Sequence, residues 1–300
     1  MKVLFLFCPP FFLFFLQAHA QRGFFVKSVD NTAIYVEEAG QGDPVVLLAG
    51  GPGMEPDYLR PLVQRLAATH RCLLLHQRGT GRTQVEANPK TITIAQYIAD
   101  IEALRQHIKA KQLTVLGHSW GGMLGQLYAG QHPGHVKRLL LLLDSGGPSL
   151  AFTVFYNDNI LMRLRETDLQ ALQDAERNGD FARIIHLITP GYFYDRSRGL
   201  AFQKVAAPLN KNAGRINELL LTEYGQLGDQ VATQLAQYKG PVCLIQGRQD
   251  PIGESTAYEI RGILPQTESH FIERSGHFPW LEGEKAAETF FERLNQCVAR

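Results

Sequence analysis

The sequence predicts an α/β fold: a mostly parallel central sheet with an N-terminal antiparallel hairpin and a helical insertion. Three observations predict it. Short, continuous apolar runs such as PVVLLAG (44–50), RCLLLHQ (71–77) and RLLLLLD (138–144) suit strands buried on both faces. Helix-patterned segments alternate with these runs, as β-α-β crossovers require. Between Gly146 and about Lys239 the alternation stops, leaving helical patches and no comparable strand run.

The first twenty residues stand apart. MKVLFLFCPPFFLFFLQAHA carries one lysine, an apolar run from Val3 to Leu16, and Ala18-His19-Ala20, the three parts of a secretory signal. The run falls short of the roughly 18 residues needed to span a bilayer, and Pro9 and Pro10 interrupt it. The chain is therefore expected to be exported, to the periplasm or outside the cell, with no stable membrane span after cleavage. Cleavage after Ala20 removes Lys2 and leaves 29 basic and 29 acidic residues.

The remaining elements follow in order. Phe24–Asp30 and Ala33–Gly40 read as a hairpin turned at Asn31-Thr32. Pro44–Gly50 is a buried strand, Tyr58–Ala68 is helix-like, and Arg71–Gln77 is a second buried strand. Thr93 and Gln96 form a T-x-x-Q capping box. Ile94, Tyr97, Ile98, Ile101, Leu104 and Ile108 then share one helical face. Leu113–Ser119 (LTVLGHS) is a strand with a helix starting almost at once, and Arg138–Asp144 is the next strand. Asn159–Asn178 and Gly214–Tyr238 are helix-like. Pro241–Gly247 and Ser269–Arg274 complete the strands. A final amphipathic helix carries Ala286, Phe290, Phe291, Leu294 and Val298. The expected organisation is a signal at 1–20, a core at 21–147 and 240–300, and a helical cap at 148–239. Such a cap would lie over the carboxyl ends of the strands, where open α/β sheets bind ligands.

Composition narrows the function. With 45% hydrophobic and 20% charged residues, the chain is that of a globular domain with a sizeable core. A net charge of +1 offers no basic stripe for nucleic acid. The mature chain keeps Cys72, Cys243 and Cys297. The odd count leaves at least one thiol unpaired within the monomer. Cys72 and Cys243 lie in apolar runs, where cysteine packs as a small hydrophobe; one oxidised pair stays open. No Cys/His spacing indicates a metal, and oligomeric state is not readable.

Chemistry concentrates at strand ends. Gly117-His118-Ser119-Trp120-Gly121 is a G-x-S-x-G between a strand and a helix, the setting that holds a nucleophilic serine out at the edge of a sheet. A serine hydroxyl needs a base. In this architecture the chain order is Ser, then an acid, then His. Asp250 follows PVCLIQG in GRQD, and His277 follows the last strand in SGHFPW. Ser119 is then the nucleophile, His277 the general base and Asp250 the acid that orients it. Asp144, which also ends a strand, is the rival acid. His118 reads as a packing or polar-shell residue, because neighbours in such a turn point apart. His76 reads as a structural histidine or part of the site wall.

The glycines of LAGGPG (48–53) fit the same chemistry. A phosphate loop would need Lys-Ser/Thr after its last glycine, and none follows Gly53. Acyl transfer needs N–H donors for the oxyanion: one from the residue after the nucleophile, Trp120, the other from the loop after the third strand. Gly51 is the choice for the second, with Gly50 as the alternative; Pro52 has no N–H. This chemistry needs no cofactor and no metal.

AGGPG, HQRGTGRT (76–83), GHSWGG (117–122), GRQD (247–250) and SGHFPW (275–280) occur in this order. Together they resemble the α/β-hydrolases related to proline iminopeptidases, which are serine peptidases. The resemblance covers residues 24–147 and 240–300 and implies the α/β-hydrolase fold. Two positions depart from the family's usual H-G-G-P-G and D-Q-R-G, where Ala49 and His76 stand instead. Arg78, in the second motif, is read as a salt-bridged brace of the site loop. The resemblance also implies cap glutamates that bind a substrate's free amine, for which Glu218 and Glu223 are the candidates. The cap carries no tryptophan, unlike the family's. The resulting expectation is an exported serine hydrolase that cleaves an N-terminal residue, such as proline, from small peptides. The alternatives are an esterase or amidase with the same triad, and a non-catalytic binding protein on a hydrolase scaffold.

Overall fold

A computed structural model describes residues 22–144 and 153–299. The expected signal at 1–20, the core–cap junction at 147–148 and the side chain of Asp144 lie outside the described residues. Eight strands form one sheet: β1 (Arg22–Lys27), β2 (Ala33–Ala39), β3 (Pro44–Leu48), β4 (Arg71–Leu75), β5 (Leu113–Ser119), β6 (Val136–Asp144), β7 (Val242–Gly247) and β8 (Thr267–Ile272). Their order is β1-β2-β4-β3-β5-β6-β7-β8. β1–β2 and β2–β4 pair antiparallel, and every other pairing is parallel.

The apolar runs are continuous because both faces of the sheet are covered. In β3, Val46 and Leu48 face one hydrophobic layer while Val45 and Leu47 face the other. The first layer includes helices α2 (Ile94–His107) and α3 (Trp120–Gln131), and the second includes α1 (Arg60–Leu66). Between β6 and β7 run α4 (Thr153–Leu161), α5 (Glu166–Arg177), α6 (Phe181–Ile188), α7 (Arg196–Val205), α8 (Ala213–Leu227) and α9 (Gln230–Leu235). Ile216, Leu220 and Tyr224 of α8 join the first layer, which anchors this helical segment to the core. α10 (Ser255–Ile263) precedes β8, and α11 (Glu284–Ala299) closes the second layer through Phe290 and Leu294. Among the described residues, no helix is long and apolar enough to cross a membrane.

Three local expectations are corrected or made specific. The hairpin turn spans Ser28–Thr32 rather than Asn31-Thr32 alone, with Ser28 N–H donating to the Thr32 carbonyl at 2.9 Å. The strand stops early because its last side chains are recruited inward. The Ser28 hydroxyl donates to Asp100, and Asp30 accepts from Arg78. Arg78 is salt-bridged as expected, and its partners lie on the β1–β2 turn and on α2. It is fully buried, donates to both oxygens of Asp100 at 2.7 and 2.8 Å, and clamps the β1–β2 turn to α2. Burial opposes its charge, but the two carboxylates hold the guanidinium protonated. Finally, Cys243 is not a lone buried thiol: a disulfide joins it to Cys297 of α11, while Cys72 is free and buried. The apolar run around Cys243 hid the pairing, since a strand and a terminal helix meet only in the fold.

Candidate active site

The crossover in strand order assembles the site. β3 and β5 are neighbours, with Leu48 opposite Gly117, so the glycine loop after β3 opens beside Ser119. A Cβ on Gly50 would stand 3.0 Å from the Cβ of Ser119. Ser119 has φ 55 and ψ −125, a conformation a side chain adopts only under constraint. The constraint is a close approach of strand and helix: a Cβ on Gly117 would overlap the Gly121 carbonyl, and one on Gly121 would overlap the Leu48 carbonyl. Both glycines of the motif are thus required by space. Gly51 has φ +117, and a Cβ there would stand 2.6 Å from the Gly53 nitrogen.

The acid and the histidine come from adjacent loops. Arg248 and Glu273 follow the neighbouring strands β7 and β8, and the two loops are stitched by Arg248 N–H to Ile272 O and Gln249 N–H to Ser275 O, both 2.9 Å. Asp250 is buried; one of its oxygens accepts from Ile252 N–H at 3.0 Å, and the other lies 2.8 Å from His277 Nδ1. The rival Asp144 ends β6 opposite Ser119 in register. His277 and Ser119 line the same cavity. The cap reaches the histidine loop directly. His277 N–H donates to the Tyr192 carbonyl at 2.7 Å, and the half-buried Tyr192 ring packs 5.1 Å from the imidazole. Burial raises the Tyr192 phenol.

Three residues with roles here were not singled out from the sequence. Gln77 donates to the Ala49 carbonyl at 2.8 Å and accepts from the Trp120 indole at 3.3 Å, joining the residue after β3 to the first residue of α3. Glu282 accepts from Gly276 N–H at 2.9 Å and Tyr194 N–H at 2.7 Å, tying the histidine loop to the cap. Burial raises its carboxyl against those hydrogen bonds. Tyr58 receives Gly50 N–H at 2.6 Å. That bond occupies the Gly50 N–H, the alternative donor considered from the sequence. Gln77 stands inside a quoted motif and could have been noticed. The other two act through backbone groups, at Gly50 for Tyr58 and at Gly276 and Tyr194 for Glu282, which residue type alone does not signal.

The cavity above Ser119 is apolar. Its arm along α4 and α6 encloses about 380 Å³, within reach of a small substrate, between Trp120, Met123, Ile184, Ile188, Leu221 and Ile252. A second arm runs toward Met54, Phe202, Leu209 and Phe278. Among the described residues, none lining either arm carries a carboxylate. The expected amine partners are displaced. Glu218 is exposed and paired with Arg215 at 2.8 Å, and Glu223 accepts from Ile94 N–H at 2.9 Å at the start of α2. Helix rotation explains it: α8 turns Asn217 and Leu221 toward the cavity, and position 218 lies about 100° around from 217. His76 lies beside Glu37 at 3.2 Å and receives Arg82 N–H at 3.1 Å, a structural role away from the cavity. Away from the site, Glu102, His132 and His135 bring ligand atoms within 4.8 Å of one another, but Glu102 is already held by Arg105 and Tyr128.

The sheet order, the Ser-bearing turn and the paired acid and histidine together define an α/β hydrolase. The sequence pattern of the alpha/beta hydrolase fold family matches residues 43–284, and the chain belongs to that family. It is related to proline iminopeptidases. It is 28% identical over 275 residues to one from Levilactobacillus brevis, covering 85% of this chain and 88% of that one. It is 27% identical over 265 residues to one from Lacticaseibacillus rhamnosus, covering 85% and 89%. Among solved structures it resembles an esterase from Exiguobacterium antarcticum, with a TM-score of 0.69 at 21% identity over 93% of this chain and all of that one.

Proposed function

We propose that this protein is a serine hydrolase that cleaves esters or amides of an apolar, uncharged acyl group. The observation that carries the reading is the placement of Ser119 and the Asp250-bonded His277 on one apolar cavity. Ser119 Oγ attacks the substrate carbonyl while His277 Nε2 takes its proton. Asp250 holds Nδ1–H, fixing the tautomer and stabilising the imidazolium. Gly51 and Trp120 N–H receive the oxyanion, each such donor contributing about 10²- to 10³-fold. His277 then protonates the leaving group, and water attacks the acyl-enzyme by the same route. The apolar N-terminal segment supports an exported site of action, and the Cys243–Cys297 disulfide fits an oxidising compartment.

A second reading, release of N-terminal proline from peptides, is favoured by relatives of that activity that span most of the chain. The two differ in one charge. A protonated amine buried without a carboxylate loses solvation that nothing in the described lining returns. Prolyl p-nitroanilide and cyclopentanecarbonyl p-nitroanilide share shape and leaving group, and only the first is charged. The uncharged compound is expected to show a kcat/KM higher by about tenfold or more, the effect of roughly 1.4 kcal/mol. Preference for the prolyl compound would overturn the uncharged-acyl reading in favour of the peptidase.

A further inference from the structure

We propose that Tyr58 and His118 are positioning residues that tie the oxyanion loop to the loop of the general base through one ordered chain of hydrogen bonds. The inference rests on the serine-hydrolase reading above. Gly50 N–H meets the Tyr58 hydroxyl at 2.6 Å, Tyr58 lies 2.7 Å from His118 Nδ1, and His118 Nε2 lies 3.0 Å from the His277 carbonyl.

The direction of every proton follows from the two ends. A backbone N–H only donates, so the Tyr58 oxygen accepts from Gly50 and its own hydrogen goes to His118 Nδ1. A carbonyl only accepts, so His118 carries its hydrogen on Nε2. The neutral tautomer with its hydrogen on Nε2 therefore satisfies all three bonds, whereas a protonated His118 would leave the Tyr58 hydrogen without its acceptor. Tyr58 and His118 are both buried, so water cannot replace a lost partner. Burial pushes the His118 imidazole well below its usual value, in agreement with that tautomer.

Placement gives the chain its purpose. Gly50 precedes the oxyanion donor Gly51, and His118 precedes the nucleophile. The third anchor is the backbone of the base itself. The loop after β3, the end of β5 and the loop after β8 are thereby held in one register. The ionisable groups packed on His118 are Tyr58 and His277, whose rings lie 5.3 and 4.8 Å away; Asp250 engages His277 at Nδ1. Phe278 and Trp280 complete the apolar surround. When His277 becomes an imidazolium, its nearest titratable ring is uncharged, so the proton transfer meets no repulsion from it.

The test uses Tyr58→Phe, His118→Ala and His118→Gln in the full chain. Thermal unfolding establishes that each is folded, and wild-type labelling by a fluorophosphonate establishes the enzyme class. Tyr58→Phe is expected to lower kcat about tenfold with KM within about twofold, because it removes both hydrogen bonds of the phenol, to Gly50 N–H and to His118, and both act by positioning. His118→Ala is expected to lose at least as much. A glutamine amide can accept from Tyr58 and donate to the His277 carbonyl, so His118→Gln should recover most of that loss. Its kcat/KM should keep the acid limb of the wild type, because His118 does not titrate there. Wild-type kcat in Tyr58→Phe, equal damage in His118→Gln and His118→Ala, or an acid limb displaced by more than about half a pH unit overturns the inference alone. Tyr58→Phe, which removes a single oxygen, decides the matter if His118→Ala does not fold. Failure of the folded wild type to label overturns the hydrolase reading and this inference with it.

Discussion

Ser119→Ala is expected to lower kcat by about 10⁴- to 10⁶-fold, the range in which loss of a triad nucleophile leaves only binding and oxyanion stabilisation. Stability should change little. The strained backbone at Ser119 is imposed by Gly117 and Gly121 packing against neighbouring carbonyls, and alanine keeps the Cβ that the turn already accommodates. Ser119 lines the cavity, so the change leaves the packed apolar layers untouched. Steady-state hydrolysis of an uncharged ester, with thermal unfolding as the control, measures both quantities. A folded variant that retains activity within about tenfold of wild type would show that another group attacks.

Arg78→Met is expected to destabilise the fold by about 3–5 kcal/mol, the cost of removing one partner from a buried ion pair and leaving the other charged. Asp100 is the group left behind: it is 2% exposed and takes two hydrogen bonds from the guanidinium. Asp30 and Ser28 lose contacts in the same step, so the β1–β2 turn should loosen with α2. Arg78→Lys should recover little, because one ammonium cannot make the forked contacts to two carboxylates. Urea unfolding followed by circular dichroism gives the difference, and a loss below about 1 kcal/mol would mean that solvent reaches Asp100 in the native state.

What was legible in the sequence depended on how local each signal is. The buried strands could be read because their two-sided burial writes continuous apolar runs, and the start of α2 because Thr93 caps it through Gln96 N–H. The strand ends bearing Ser119, Asp250 and His277 could be read because close packing there demands glycine at 117, 121 and 247. Signals built from tertiary contact were not legible. The Cys243–Cys297 pair, the Tyr58–His118 contact and the bond from Tyr194 N–H to Glu282 join segments that only the fold brings together. Arg78 could be read as salt-bridged, but not with which partners. Glu218 and Glu223 show the same limit from the other side. Residue type suggested a role, and the rotation of α8, set by Ile216, Leu220 and Tyr224 packing on the core, points them elsewhere. The cavity's chemistry is therefore written by Asn217 and Leu221 and by the apolar face of α6, not by the carboxylates.

The most direct measurement of the central claim is covalent. The folded protein is treated with a fluorophosphonate, weighed intact, and mapped by peptide mass spectrometry. A single adduct on the peptide carrying Ser119, absent from Ser119→Ala and from protein unfolded before treatment, is the result predicted for a hydroxyl activated by His277. An unlabelled folded protein, or an adduct on any other residue, would contradict the assignment of Ser119 as the nucleophile.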